Sequence, residues 1–388
     1  MVSHQASIDL LSEKNEILLN PRFPQADYEK LYALAEKIQQ LRNLKSHVWI
    51  ATSGSTAASA ASTKLVALSK QALKASADSV NHHLQASHQD VWTQVLPSFH
   101  VGGLGIEIRA QLAGAKVVGA LQEGKWNAVH FYETILQERC TLSALVPTQV
   151  YDLVAHQLRA PETLRAVVVG GGAFEHSLYQ QARALSWPVL PSYGMTETAS
   201  QIATASLQSL QQNEFPDIHL LSHAQARTTE DGHLQVQASS LLTCYAQNFP
   251  EGPHHWDPKV NGWFTSEDRG EVRRNILKIL GRSGDYIKIG GEGSNVAKLR
   301  GVLEQTLLEI HPHEISQVCL LDVASERLGS EIHLVVSQLS AHIAEKIANS
   351  YGEKVLPYEK IRKIHFVEEI PRTALGKIQW SALRSRLC

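Results

Sequence analysis

The chain lacks any stretch of roughly 18 consecutive apolar residues, so nothing in it reads as a membrane-spanning helix. Its first residues include His4, Asp9, Glu13 and Lys14 without an apolar run between them, which does not fit a secretory signal. Cysteine is scarce. Cys140, Cys244, Cys319 and Cys388 are scattered without metal-type or redox-type spacing, which suits free thiols in a reducing cytoplasm. There is no basic block, and the formal net charge is −2, so nucleic acid is not favoured as a partner. A Walker A signature is missing too, because no Gly-Lys-Ser/Thr follows the Ser/Thr-rich loop at the required spacing.

What is present describes an ordinary globular protein. Of 388 residues, 43% are apolar and 19% charged, and that length exceeds the size at which one core usually stops growing. Two or three domains are expected. Histidine is abundant at nineteen, yet His82-His83 and His254-His255 are adjacent pairs, whose rings point to different faces of a regular element. His311-Pro312-His313 lies in a turn-like segment with no Cys or Asp near it. Solvated surface histidines are the expectation there, not metal ligands.

The first fifty residues read as helical, with Leu31, Leu34, Ile38 and Leu41 at helical spacing. A short apolar strand at 48–51 then runs into Thr52-Ser53-Gly54-Ser55-Thr56. From there to about residue 190 the pattern alternates. Strands are expected at 91–96, 116–120, 143–146 and 164–169, and helices at 69–83, 104–113, 127–137, 148–157 and 175–186. Such alternation predicts an α/β layer arrangement with a largely parallel sheet. After residue 215, short strands such as 233–238 and 272–275 sit between Gly- and Pro-bearing turns, the pattern of an antiparallel β subdomain. Gly281-Arg282-Ser283-Gly284-Asp285 has the glycine content of a flexible joint. Beyond it come a helix at 297–309, strands at 317–322 and 331–338, a helix at 341–350 and a strand at 364–367, enough for a small α+β domain. The expected domains are therefore 1–281 and 282–388.

Five segments carry chemistry. The Thr52–Thr56 run, with Lys64 following, can wrap a polyphosphate with backbone N–H groups, hydroxyls and a cation; a Ser/Ala-rich surface loop has the same composition. Gly170-Gly171-Gly172-Ala173 opens from an apolar strand just before a helix, where glycines admit a flat ring or a phosphate, or merely make a strand-to-helix turn. Ser192-Tyr193-Gly194-Met195-Thr196-Glu197-Thr198 reads as a tight Gly turn that gathers a phenol, hydroxyls and a carboxylate. Asp268, after Gly262-Trp263-Phe264, can accept hydrogen bonds from a ribose diol. Lys377 follows Pro371-Arg372-Thr373-Ala374-Leu375-Gly376 and is a mobile point charge or an ordinary solvated lysine.

Taken in order, these segments resemble the adenylate-forming superfamily of acyl-CoA synthetases, peptide-synthetase adenylation domains and luciferases, over about residues 48–381. Within it, Leu96-Pro97-Ser98-Phe99-His100-Val101-Gly102-Gly103-Leu104-Gly105-Ile106, Leu145-Val146-Pro147-Thr148-Gln149 and Tyr193 through Gln201 are most similar to the o-succinylbenzoate–CoA ligases of menaquinone biosynthesis. The resemblance implies a large α/β N-terminal domain of layered sheets with a β subdomain, plus a mobile α+β C-terminal domain. It implies ATP, Mg²⁺, a small-molecule carboxylate and CoA as ligands, a cytoplasmic enzyme and a possible homodimer.

Residue by residue, the same resemblance gives Thr52, Ser53, Gly54, Ser55, Thr56 and Lys64 the β- and γ-phosphates. Gly171, Gly172 and Ala173 would line the adenine pocket, with Tyr193 stacked on the base beside Gly194. Thr196 would contact the α-phosphate and Glu197 would hold Mg²⁺. Asp268 and Arg282 would hold the ribose, and Lys377 would bridge the attacking carboxylate and the nucleotide. His100, Gly103, Arg109 and Ser200 would border the acid, Arg109 pairing with a second carboxylate that is not activated. Gly284 would be the hinge, and Gly290 and Gly291 would complete the CoA channel. Other aryl- or acyl-CoA ligases, carrier-loading adenylation enzymes and a non-catalytic nucleotide-binding relative share much of this pattern.

The sequence also departs from the family pattern. Ala57 stands where a Gly is usual, and Lys64 comes late behind an Ala/Ser insertion. Gly284 replaces the usual Asp, Lys or Ser at the joint, and Val296-Ala297-Lys298 replaces Pro-x-Glu. The phosphate loop begins at residue 52, so a reduced N-terminal subdomain, or one supplied by a partner subunit, is expected.

Overall fold

The computed structural model describes residues 8–52, 63–289, 292–310, 317–373 and 376–387. The chain forms two compact units. One holds Met1–Arg227, Gln235–Thr265 and Val272–Lys278; the other holds Thr228–Leu234, Ser266–Glu271 and Ile279–Cys388.

In the first unit, β1 (Glu16–Leu18) precedes α1 (Gln25–Leu41), β2 (His47–Ala51), β3 (Leu65–Ser69) and α2 (Lys70–Leu84). The first fifty residues are thus not all helix. Glu16, Ile17 and Leu18 pair in parallel with Val48, Trp49 and Ile50, because a three-residue strand is too short to show a period and takes its conformation from the neighbour it binds. Helix α1 buries Leu31, Leu34 and Ile38 of the stripe read from the sequence, with Ala35, against Trp49 and Ala67, whereas Leu41 in its last turn is exposed. Ser69 caps α2 by accepting from the Ala72 N–H at 3.0 Å.

The alternating region follows as β4 (Val91–Gln94), α3 (Val101–Ala113), β5 (Lys116–Gly119), α4 (Ala128–Gln137), β6 (Leu142–Leu145), α5 (Pro147–Ala155), β7 (Ala166–Val169), α6 (His176–Ala184) and β8 (Val189–Met195). Each expected strand and helix appears, within a few residues of its expected ends. Pro147 opens α5 at a position where a missing N–H is harmless. The strand order β8-β7-β6-β4-β5 is parallel throughout. The sheet does not stay parallel, however. β9 (Ser200–Ala205) and β10 (Ile218–Leu220) continue it antiparallel from β8.

The expected strand at 272–275 is the end of a longer one, Phe264–Arg273, and Arg274 turns out of it at φ 55°. In the second unit, strands Tyr286–Ile289, Glu292–Asn295, Val318–Ser325, Gly329–Ser337 and Ile361–Val367 form one sheet. Helices Val296–Ile310 and Ala341–Lys354 bury Leu299, Leu303, Leu307, Ala344 and Ile347 in a core shared with Leu320, Ile332 and Leu334. Among the described residues, no helix is long and apolar enough to cross a membrane.

Candidate adenylate site

The segment 192–198 is not the tight glycine turn its sequence suggests. Residues through Met195 extend β8, and Thr196–Thr198 form one turn of 3₁₀ helix. Gly194 sits at a register shift opposite Gln201, and a Cβ there would lie 1.9 Å from the Ser200 carbonyl oxygen. Glycine is required for close backbone approach, not for turning. The chain reverses at Ala199 (φ 52°) and Ser200 (φ 107°), left-handed conformations that cost non-glycine residues about 1–3 kcal/mol each. The Thr198 hydroxyl accepts from the Met195 N–H at 3.1 Å and lies 2.7 Å from the Ser200 carbonyl oxygen, which holds the reversal in place. Tyr193, Thr196 and Glu197 are left half-buried beyond the end of the parallel strands, the edge where α/β sheets bind ligands.

The glycine loop lies on the neighbouring strand end. β7 pairs with β8 through Val169 and Pro191, and Ser192 Oγ donates to the Val169 carbonyl at 3.0 Å. A Cβ on Gly170 would meet that hydroxyl at 2.7 Å, and Gly171 takes φ 80°. Gly171, Gly172 and Ala173 are exposed. β7 and β8 thus bring the adenine-pocket candidates and Tyr193 to one edge.

Glu197 has a partner that the sequence pattern did not reveal. The Tyr245 hydroxyl donates to Glu197 Oε1 at 2.8 Å, and Lys64 Nζ lies 4.7 Å from the centroid of the Tyr245 ring. Tyr245 therefore links the metal-ligand candidate to the phosphate-binding candidate Lys64, though some fifty residues of sequence part it from one and far more from the other. The Leu242 N–H donates to the Glu197 carbonyl at 2.8 Å, fixing the same two segments together. Thr52 N–H donates to the Lys64 carbonyl at 2.9 Å, which ties these two phosphate candidates together. Ser53, Gly54, Ser55 and Thr56 lie outside the described residues, as do Gly290 and Gly291.

On α3, the acyl-pocket candidates separate by role. A Cβ on Gly103 would fall 2.3 Å from the carbonyl oxygens of Leu96 and Pro97, so its absence lets the helix start pack onto that backbone. Gly105 is the glycine beside the guanidinium, its Cβ position 3.1 Å from Arg109 Nη2. His100 is half-buried at the N-cap of α3, its ring 4.7 Å from that of Phe99. Arg109 is 1% exposed and is no surface helix residue. Its Nη2 donates to Ser200 Oγ at 3.2 Å, its Nε finds no acceptor, and no carboxylate of the described residues lies within ion-pair distance of it. Burial pulls its pKa down to about 10, which leaves it charged at neutral pH. A buried, charged, unmatched guanidinium is costly, and a carboxylate is the group that would complete it.

The remaining candidates belong to the second unit. Arg282 Nε donates to Asp268 Oδ1 at 2.9 Å, so the two ribose candidates meet. Gly284 is exposed within the short helix Ser283–Asp285, and nothing stands within 4 Å of its Cβ position. The backbone on either side of Lys377 is tied down. Thr373 N–H donates to its carbonyl at 2.7 Å, Gly376 takes φ 74°, and Arg372 Nη1 donates to the Gly376 carbonyl at 2.8 Å.

The AMP-binding enzyme family matches residues 5–226, more than half of the chain. The chain belongs to that family. It is 27% identical over 306 residues to the 2-succinylbenzoate–CoA ligase of Bacillus licheniformis, covering 76% of this chain and 62% of the relative. The corresponding Bacillus subtilis ligase is 26% identical, with 78% and 62% covered. The chain thus spans about three fifths of the length of the curated relatives it matches. Among solved structures, a variant of E. coli MenE with bound OSB-AMS superposes with TM-score 0.67 at 25% identity, covering 88% of this chain and 68% of that one. The Bacillus subtilis o-succinylbenzoate CoA synthetase in complex with the acyl-adenylate intermediate OSB-AMP gives TM-score 0.72 at 22% identity, with 96% and 88% covered. The family's fold is the adenylate-forming one, a large sheet-rich α/β part and a C-terminal α+β part, as expected.

Proposed function

We propose that this AMP-binding enzyme is an ATP-dependent acid–CoA ligase that converts o-succinylbenzoate to an acyl-adenylate and then transfers the acyl group to the CoA thiol. The observation that carries the substrate is Arg109, a fully buried guanidinium whose Nε has no acceptor, beside a strained Ser200. A dicarboxylate brings one carboxylate to react and one to stay, and the second satisfies Arg109. The relatives' names support the same acid.

Both substrates are anionic, so the first step needs positive charge where negative charge develops. Glu197, a hard oxygen ligand oriented by Tyr245, would hold Mg²⁺, and the ion when bound neutralises phosphate charge. Lys64 with Thr52 and the loop 53–56 would hold the outer phosphates, and Thr196 the α-phosphate. Tyr193 would stack on adenine against Gly171, Gly172 and Ala173. Asp268 and Arg282 would hold the ribose hydroxyls. Lys377 would meet the acid's reacting carboxylate, whose oxygen attacks the α-phosphorus as pyrophosphate leaves. For thioester formation, residues 282–388 would rotate about Gly284 and bring Gly290 and Gly291 to the pantetheine. The enzyme would act in the cytoplasm.

Pyrophosphate release tests this reading. It should require o-succinylbenzoate, ATP and Mg²⁺ together and should fall by at least about 10²-fold in Lys377→Ala. No release with any of a panel of aromatic, fatty and amino acids would contradict the ligase reading. Faster release with another acid would overturn only the choice of substrate.

A further inference from the structure

The loop 221–223, between β10 and the strand Ala224–Thr228, places a second polar group in the neighbourhood of Arg109. His223 is half-buried, yet both its ring nitrogens are out of solvent and neither has a hydrogen-bond partner. Two unmatched imidazole nitrogens are hard to explain as packing, because a buried polar atom without a partner costs about 1–3 kcal/mol.

The loop is held from several sides. Leu221 N–H donates to the Ile202 carbonyl on β9 at 2.8 Å, and Ser239 N–H donates to the His223 carbonyl at 3.3 Å. Ser222 Oγ and Ser79 Oγ on α2 lie 2.9 Å apart. Two residues further along α2, Asn81 Nδ2 donates to the Arg109 carbonyl at 2.8 Å. Helix α2 therefore braces both His223 and Arg109. The two are close enough that the guanidinium charge, after burial itself, is a cause of the imidazole's pKa falling to about 4. At neutral pH the pair carries one positive charge and an additional N–H donor. That combination complements a single carboxylate, which accepts from several donors at once.

We propose that His223 is a second binding group, beside Arg109, for the carboxylate of the acid that is not activated, and that it sets the enzyme's preference for dicarboxylates. This rests on the ligase reading above. Arg109 alone attracts any anion, whereas a neutral donor at a second angle selects one carboxylate orientation.

The experiment compares two acids that share a skeleton: o-succinylbenzoate and 4-oxo-4-phenylbutanoate, which lacks the ring carboxylate. His223→Leu should raise the KM for o-succinylbenzoate roughly tenfold to a hundredfold, the value of one hydrogen bond to a charged acceptor. The KM for ATP and that for the monoacid should stay within about twofold, since neither uses the donor. His223→Gln, which keeps an N–H, should recover most of the loss. Equal changes on the two acids, or no change on either, would overturn the proposal. Should the wild type release no pyrophosphate with any acid, the ligase reading fails on its own. Calorimetric binding of o-succinylbenzoate then decides the site: equal affinity of wild type and His223→Leu would overturn it, and weaker binding by the variant would support it. Thermal melting of both variants shows that they remain folded.

Discussion

Arg109, the proposed partner of the acid's second carboxylate, bears on both stability and binding, and the two can be separated experimentally. It is charged, 1% exposed and without a carboxylate partner in the described residues. Replacing a buried unmatched charge by an apolar side chain of similar volume tends to stabilise. Arg109→Met should therefore raise the melting temperature by a few degrees while raising the KM for o-succinylbenzoate about 10²-fold or more and leaving that for ATP nearly unchanged. A fall in both stability and ATP affinity would mean that Arg109 is scaffold. Steady-state kinetics and calorimetry on one preparation give both answers. His223 adds a pH signature. Its folded pKa of about 4 lies below the unfolded value, so its contribution is complete above about pH 6.5 and is lost as pH falls towards 4. Replacing it by Leu should flatten the decline in stability over that window, as read from denaturant midpoints. Neither proposed role follows from residue type alone. Arg109 was legible because the surrounding segment resembles a known acyl pocket. His223 was not, because it is one of nineteen histidines and only the loop's anchoring makes it internal.

At the scale of elements, the parallel half of the sheet was plain in the sequence and the reversal after β8 was not. The alternating region gave itself away because buried parallel strands are short continuous apolar runs, such as Ala166–Val169, separated by amphipathic helices. The switch at Gly194 depends on a backbone-to-backbone approach that leaves no period in the side chains. Gly194→Ala should force β8 and β9 apart, costing about 1–3 kcal/mol or more in unfolding free energy and disturbing Glu197 three residues later. Wild-type stability together with wild-type Mg²⁺ dependence in that variant would contradict the account. A second element-level link joins β4 to the segment before β7. Asp90 is buried, and burial alone would raise its pKa. Hydrogen bonds from Arg165, Thr141 and the Ser87 N–H, with the charge of Arg165, hold it below the usual range instead. The stability this pair supplies is present above the unfolded carboxylate pKa, near 4, and disappears as pH falls through the lower folded value. Arg165→Ala should cost about 2–4 kcal/mol at pH 7 by leaving Asp90 buried without its counter-charge, and the deficit should shrink towards pH 3. Denaturant unfolding at the two pH values checks it.

For the whole molecule, order along the chain was the strongest signal. The Thr52 loop, the glycine loop and Lys377 each have an ordinary structural reading by themselves, and the order of all five segments from Thr52 to Lys377 pointed to the family that matches residues 5–226. Tyr245 marks where that signal stops. A tyrosine in a β strand carries no sign of its partner until the fold sets its hydroxyl 2.8 Å from Glu197. Tyr245→Phe should therefore weaken Mg²⁺-dependent turnover about tenfold while sparing the fold, since one hydrogen bond to a carboxylate is lost and the ring that faces Lys64 is kept.

A two-step reaction through an acyl-adenylate leaves one oxygen of the reacting carboxylate on AMP, and isotope transfer reads it out. With o-succinylbenzoate labelled by ¹⁸O in the reacting carboxylate, and with ATP, Mg²⁺ and CoA, mass spectrometry should find AMP carrying one labelled oxygen together with an equal amount of the CoA thioester. Nucleotide recovered as ADP, or AMP without label, would contradict the account.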